Sequence, residues 1–111
     1  MGTKKKKKED LTEILYVAWE ESERGWGTRP DGCSLHLTRS DAIAFEQAYW
    51  ARMPDQVPDE YSRPFSSPSV AYVSPVLYRK IEKKENGLRL WEGEESKAVE
   101  ERDLLYRLQE R

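Results

Sequence analysis

The chain has 111 residues, 37% hydrophobic and 36% charged, with a formal net charge of −2. That length is one domain's worth, and no apolar run approaches the roughly 18 residues of a membrane-spanning helix. The charge is asymmetric: Lys4 to Lys8 carry five positive charges, so the remainder runs 14 basic against 21 acidic residues, a net −7, which is a poor electrostatic match for a phosphate backbone.

Residues 1–10 are mostly charged, with Met1 their one apolar side chain, and read as a disordered basic tail. Nucleic-acid association is expected only through these lysines. No aromatic residue is interleaved with them, so base stacking is not indicated. Glu9 and Asp10 follow the lysines at once, which leaves no signal-peptide core. Lys6 stands where an N-myristoylation motif has Ser or Thr. The one cysteine, Cys33, has no internal disulfide partner. That fits a reducing compartment, and a cytoplasmic location is the expectation.

Residues 11–111 read as a single domain. Ile14 to Trp19 (ILYVAW) predicts a first strand with Ile14, Tyr16 and Ala18 on one face and Leu15, Val17 and Trp19 on the other. Both faces are apolar, which places it centrally in a sheet. Residues 20–33 read as a long connection, with Gly25 and Gly27 around Trp26 and a turn at Arg29-Pro30-Asp31-Gly32. Trp26 either pins this loop or is presented by it. Pinning, with the ring tucked against the sheet edge, is the expectation, since loops are often fastened by their one large apolar side chain.

Ser34 to Thr38 predicts a short strand with Leu35 and Leu37 inward and His36 on the opposite face. Thr38 is the expected N-cap of a helix from about Arg39 to Met53, with Asp41 completing a capping box. Ala42, Phe45, Tyr49 and Met53 share one helix face, flanked by Ile43 and Trp50. Glu46 falls inside that arc. It either snorkels out at the margin of the stripe or is a partly buried carboxylate. Pro54 stops the helix, and four prolines between residues 54 and 69 predict an ordered, extended surface loop.

Val70 to Val73 is the third predicted strand. It leads into a helix capped by Ser74, with Pro75 at the first position and Val73 and Tyr78 as a staple. Asn86-Gly87 predicts a left-handed helix end, Leu88 to Trp91 a fourth strand and Glu92 to Glu95 an acidic turn. Ser96 is read as the cap of a last, peripheral helix running to about Gln109. The expected fold is α+β in the order β-β-α-β-α-β-α. It has a mixed sheet of about four strands, parallel neighbours across each strand-helix-strand unit and helices mainly on one face.

No phosphate-binding loop, dinucleotide fingerprint, nucleophile elbow or zincin motif is present. One His and one Cys do not make a structural zinc site, and no metal or cofactor is expected. Cys33 and His36 are three residues apart, which on a strand sends them to opposite faces. His36 with Glu46 is the weak catalytic candidate, as a general acid-base pair. The stronger signal is aromatic and arginine content in and beside the long connections: Trp26, Arg29, Trp50, Tyr61 and Arg63 are the candidate binding residues.

Glu23 to Thr38 (ERGWGTRPDGCSLHLT), Tyr49-Trp50 and Val57 to Pro64 (VPDEYSRP) resemble, in order and wording, a group of small bacterial and phage-type proteins. The resemblance implies no activity, ligand or site residue. The residues favour a small non-enzymatic protein-binding protein, of accessory or inhibitor type and carried by a phage or mobile element. It would use the loop aromatics and an acidic body. The alternatives are a nucleic-acid-associated protein acting through Lys4 to Lys8 and a small enzyme using His36 and Glu46.

Overall fold

The computed structural model describes residues 10–100 and 103–107. The lysine tail, and the part of the predicted last helix from residue 108 onward, lie outside them. The described elements are β1 (Thr12–Glu23), β2 (Gly27–His36), α1 (Arg39–Ala51), β3 (Tyr61–Pro64), β4 (Ser69–Val73), α2 (Pro75–Glu82), β5 (Leu88–Leu90), α3 (Glu92–Glu100) and β6 (Leu105–Arg107). Together they make an α+β fold: one antiparallel sheet in the order β5-β2-β1-β4-β6, with β3 also paired to β1.

β1 is central, as its two apolar faces require. Ile14 and Tyr16 lie in a core with Cys33, Leu35, Leu77, Ile81 and Ala98, under α2 and α3. Val17 and Trp19 lie on the other face with Ala42, Phe45 and Tyr49 of α1. Helices therefore cover both faces, not mainly one.

The expected parallel neighbours are also absent. β2, β3 and β4 all run antiparallel to β1. The crossover through α1 therefore does join strands of like direction, but it carries the chain over β1 to its far edge, and β1 separates them. The proline-rich stretch makes this possible. Residues 54–60 run through successive bends, and Tyr61–Pro64 then pairs with Trp19–Ser22 of β1 as a strand. β4 takes the other half of the same edge, Thr12–Tyr16.

Two further expectations change. Residues 20–33 are not a loop but the outer part of a long hairpin. Its turn is only Arg24-Gly25-Trp26, closed by Trp26 N–H donating to the Glu23 carbonyl at 2.9 Å. Gly25 and Gly27 have φ of 77° and 92°, which a three-residue hairpin turn needs and an L side chain resists. Pro30-Asp31-Gly32 is not a turn either. β2 carries one extra residue opposite Trp19 at the shift between Ala18 and Glu20. Pro30 lies outside the Cys33–Leu35 segment that pairs with β5, so its missing N–H breaks no ladder there.

The chain end differs as well. Glu92–Glu95 begins α3 rather than forming a turn, and Ser96 lies inside that helix, its hydroxyl donating to the Glu92 carbonyl. Leu105–Arg107 is a strand against β4, not helix. Burial of Leu105 in the core beside Ala71 and Val73 outweighs a weak helical stripe.

Thr38 and Ser74 cap the two helices as the sequence implies. Asp41 N–H donates to Thr38 Oγ1 at 3.0 Å, and Leu77 N–H donates to Ser74 Oγ at 3.2 Å ahead of Pro75.

Candidate functional site

β1, β2 and β5 present one set of side chains to the α1 face. Alternation puts Trp19 of β1, Ser34 and His36 of β2, and Arg89 of β5 on that face, with Arg89 directly across from Ser34. Trp19 Nε1 donates to Ser34 Oγ at 2.8 Å, and Ser34 Oγ lies 2.7 Å from His36 Nε2. His36 Nδ1 lies 2.7 Å from the Asn86 carbonyl, which only accepts, so Nδ1 carries the proton. Nε2 then accepts from the Ser34 hydroxyl, and Ser34 accepts from the indole. Every member of the chain is satisfied.

A serine hydroxyl on an imidazole nitrogen is the pairing an acyl-transfer nucleophile uses. Here both residues are 1% exposed, under Phe45, whose ring lies 5.1 Å from that of His36. The cavity alongside is about 60 Å3, well short of the ~300 Å3 at which ligand pockets begin. Glu46 also lines it, but its carboxylate accepts from Trp50 Nε1 at 3.2 Å, and both nitrogens of His36 are already taken. His36 is thus neither an exposed strand residue nor hydrogen-bonded to Glu46. Cys33 faces the opposite core, as the odd spacing implies.

Burial lowers the His36 pKa, against the Asn86 hydrogen bond and the Asp41 charge, which raise it. The folded state therefore resists a proton that the unfolded chain accepts below about pH 6.5. His36 should contribute no pH dependence above that value and should destabilise the fold as pH falls below it. Urea unfolding at pH 7.5 and 5.5 tests this: the loss on acidification should be larger for wild type than for His36→Gln.

Beside this network lies a cavity of about 520 Å3, between the end of α1, the 54–60 loop, β3 and the end of β5. Trp19, Phe45, Tyr49, Tyr61 and Trp91 give it aromatic walls, and Arg52 and Glu60 also line it. Trp19 meets Tyr49 and Phe45 edge to face, with ring centroids 5.1 and 6.1 Å apart. Arg89 fills the gap between two indoles, its guanidinium 4.7 Å from the Trp19 ring and 3.9 Å from the Trp91 ring. It pairs with Asp31 at 3.3 Å and donates to the Leu90 carbonyl at 2.7 Å. Burial pulls the Arg89 pKa below its ordinary value, with the Asp31 charge opposing. Asp31 also accepts from Ser62, and the Ser62 carbonyl accepts from Tyr49. Burial raises the Tyr49 pKa, against that hydrogen bond.

The predicted binding residues divide into two groups. Tyr61 lines this cavity, and Trp50 packs against Tyr61 with ring centroids 6.1 Å apart. Arg29 and Arg63 are tied along the arm formed by the outer parts of β1, β2 and β3. Arg29 pairs with Glu21 and, at 2.6 Å, with Glu23; Arg63 pairs with Glu20 at 2.6 Å. Trp26 stands at the arm's tip with 86% of its surface exposed. It is presented, not pinned: the turn is closed by backbone, and the loop whose anchor it was expected to be is a ladder.

Sequence reasoning passed over Asp31, Ser34, Arg89 and Trp91. Period-two alternation held the signal for the last two: with Leu88 and Leu90 facing the core, Arg89 and Trp91 share the other side. Among the described residues no group of three or more His, Cys, Asp or Glu could hold a metal ion, and no helix is long and apolar enough to cross a membrane. Compared with known protein families, curated proteins and solved structures, the chain matches none.

Proposed function

We propose that the chain is a non-enzymatic protein-binding module of the accessory or inhibitor type, which engages its partner through the tip of the β1–β2 arm and the aromatic surface beside it. The observation that carries this reading is the exposed indole of Trp26 at the end of a hairpin stiffened by ion pairs. A large side chain held out on an ordered turn loses little freedom when a partner buries it, and Trp is prominent among interface hot spots. Arg24, two residues before it, pairs with Asp59 at 2.6 Å and so keeps the tip beside the loop that lines the aromatic cavity. Trp50, Val57 and Trp91, three further exposed apolar residues, lie on the elements around that cavity. Apolar surface gathered in this way and edged by charge marks interaction sites. Catalysis by His36 and Glu46 has less support, because the imidazole is buried with both nitrogens engaged.

Trp26→Ala tests the reading. The ring is solvated, so thermal unfolding should match wild type. Affinity for partner proteins recovered by pull-down should fall about 30-fold, the loss of a hot spot worth about 2 kcal/mol. If every recovered partner bound the variant at wild-type affinity, the arm would not be the contact.

A further inference from the structure

The geometry points to a second copy of this chain as the partner, each copy seating its Trp26 in the aromatic cavity of the other. The inference rests on the contact-arm reading and names the occupant of the cavity. The cavity has room for an indole and the turn that carries it, at about 520 Å3, and its walls are aromatic rings. Such walls meet an incoming indole edge to face or offset-stacked. Arg89 already sits between Trp19 and Trp91, so an incoming cation would meet a charge of its own sign, whereas a neutral indole would not.

Position favours a closed pair. The Arg24–Asp59 ion pair places the knob next to the loop that lines the hole. A two-fold axis between them brings each Trp26 to the other copy's cavity, and such an isologous contact closes on itself instead of growing into a fibre. The pairing also covers Trp26 and Trp91, two of the large apolar side chains left exposed in the single chain.

Sedimentation equilibrium of the full chain over a concentration series tests this. Wild type should dimerise, and Trp26→Ala should raise the dimer dissociation constant at least about 30-fold with unchanged thermal unfolding. A wild-type chain still monomeric at about 100 μM, or a dimer indifferent to Trp26→Ala, would overturn the inference. In either case the contact-arm reading survives if binding of a foreign protein depends on Trp26, and falls with the inference if it does not.

Discussion

Gly87→Ala should destabilise the fold by about 3–5 kcal/mol, a large share of the 5–15 kcal/mol that holds a typical domain together. A Cβ at Gly87 would lie 2.7 Å from His36 Cε1 and 2.8 Å from the Leu35 carbonyl oxygen, and closer still to His36 Nδ1. Leu35 is backbone of β2 paired on both sides, with Tyr16 and with Leu88, and His36 is held at both nitrogens, so neither neighbour can give way cheaply. Overpacking of this kind costs about 1–3 kcal/mol. The backbone adds strain, because φ at Gly87 is +147°. Moving the segment away also pulls the Asn86 carbonyl from His36 and leaves a buried N–H without its acceptor, worth about 1–3 kcal/mol. Gly25→Ala is the control. Its φ is +77°, but nothing lies within 4 Å of the added carbon. It should show only the left-handed backbone penalty of about 1–2 kcal/mol. Equal urea midpoint shifts for the two variants would mean that close approach to His36 is not what restricts residue 87.

Arg89→Met is the second large effect, an expected loss of about 3 kcal/mol. The Arg89 and Asp31 side chains are each only 12% exposed. Removing the cation leaves Asp31 as a buried carboxylate with Ser62 as its remaining partner. Breaking a buried pair from one side typically costs about 3–5 kcal/mol, whereas replacing both members costs far less. The double variant Asp31→Asn, Arg89→Met should therefore recover much of the loss. Methionine keeps apolar contact with Trp19 and Trp91 but not the attraction of a guanidinium for ring faces, so recovery should be partial. Denaturant titration of the four proteins gives the coupling, expected at about 1–3 kcal/mol. A coupling near zero would mean that Arg89 acts through packing alone.

The features legible in the sequence have causes within a few residues. Thr38 and Ser74 cap their helices because a hydroxyl reaches an amide three residues on. The two apolar faces of Ile14 to Trp19 place that strand centrally whatever surrounds it. What the sequence hid depends on distant partners. Glu20, Glu21, Glu23, Arg29 and Arg63 look like loop residues because none is apolar. They are strand residues because opposite charges meet across neighbouring strands. Tyr61–Pro64 reads as proline-rich loop, since only the open half of an edge 40 residues earlier makes it a strand. Leu105 carries a helical pattern that loses to pairing with Val73. At the candidate site, Trp26, Trp50 and Tyr61 stood out by residue type. Arg89 did not, because an arginine between two leucines looks like the wet side of a strand until α1 and the 54–60 loop are known to cover that side.

The arm beyond Trp19 is held differently from the body. Its ties are Glu21 and Glu23 with Arg29, Glu20 with Arg63, and Arg24 with Asp59, and of these carboxylates only that of Glu20 is nearly buried. The body rests on apolar burial, which mobile ions do not screen. Exposed pairs weaken as the Debye length shrinks from about 10 Å at 0.1 M salt to about 3 Å at 1 M. Ionic strength therefore loosens the side-chain ties along the arm that holds out Trp26, while the backbone ladder of the arm and the apolar core beneath it stay unchanged.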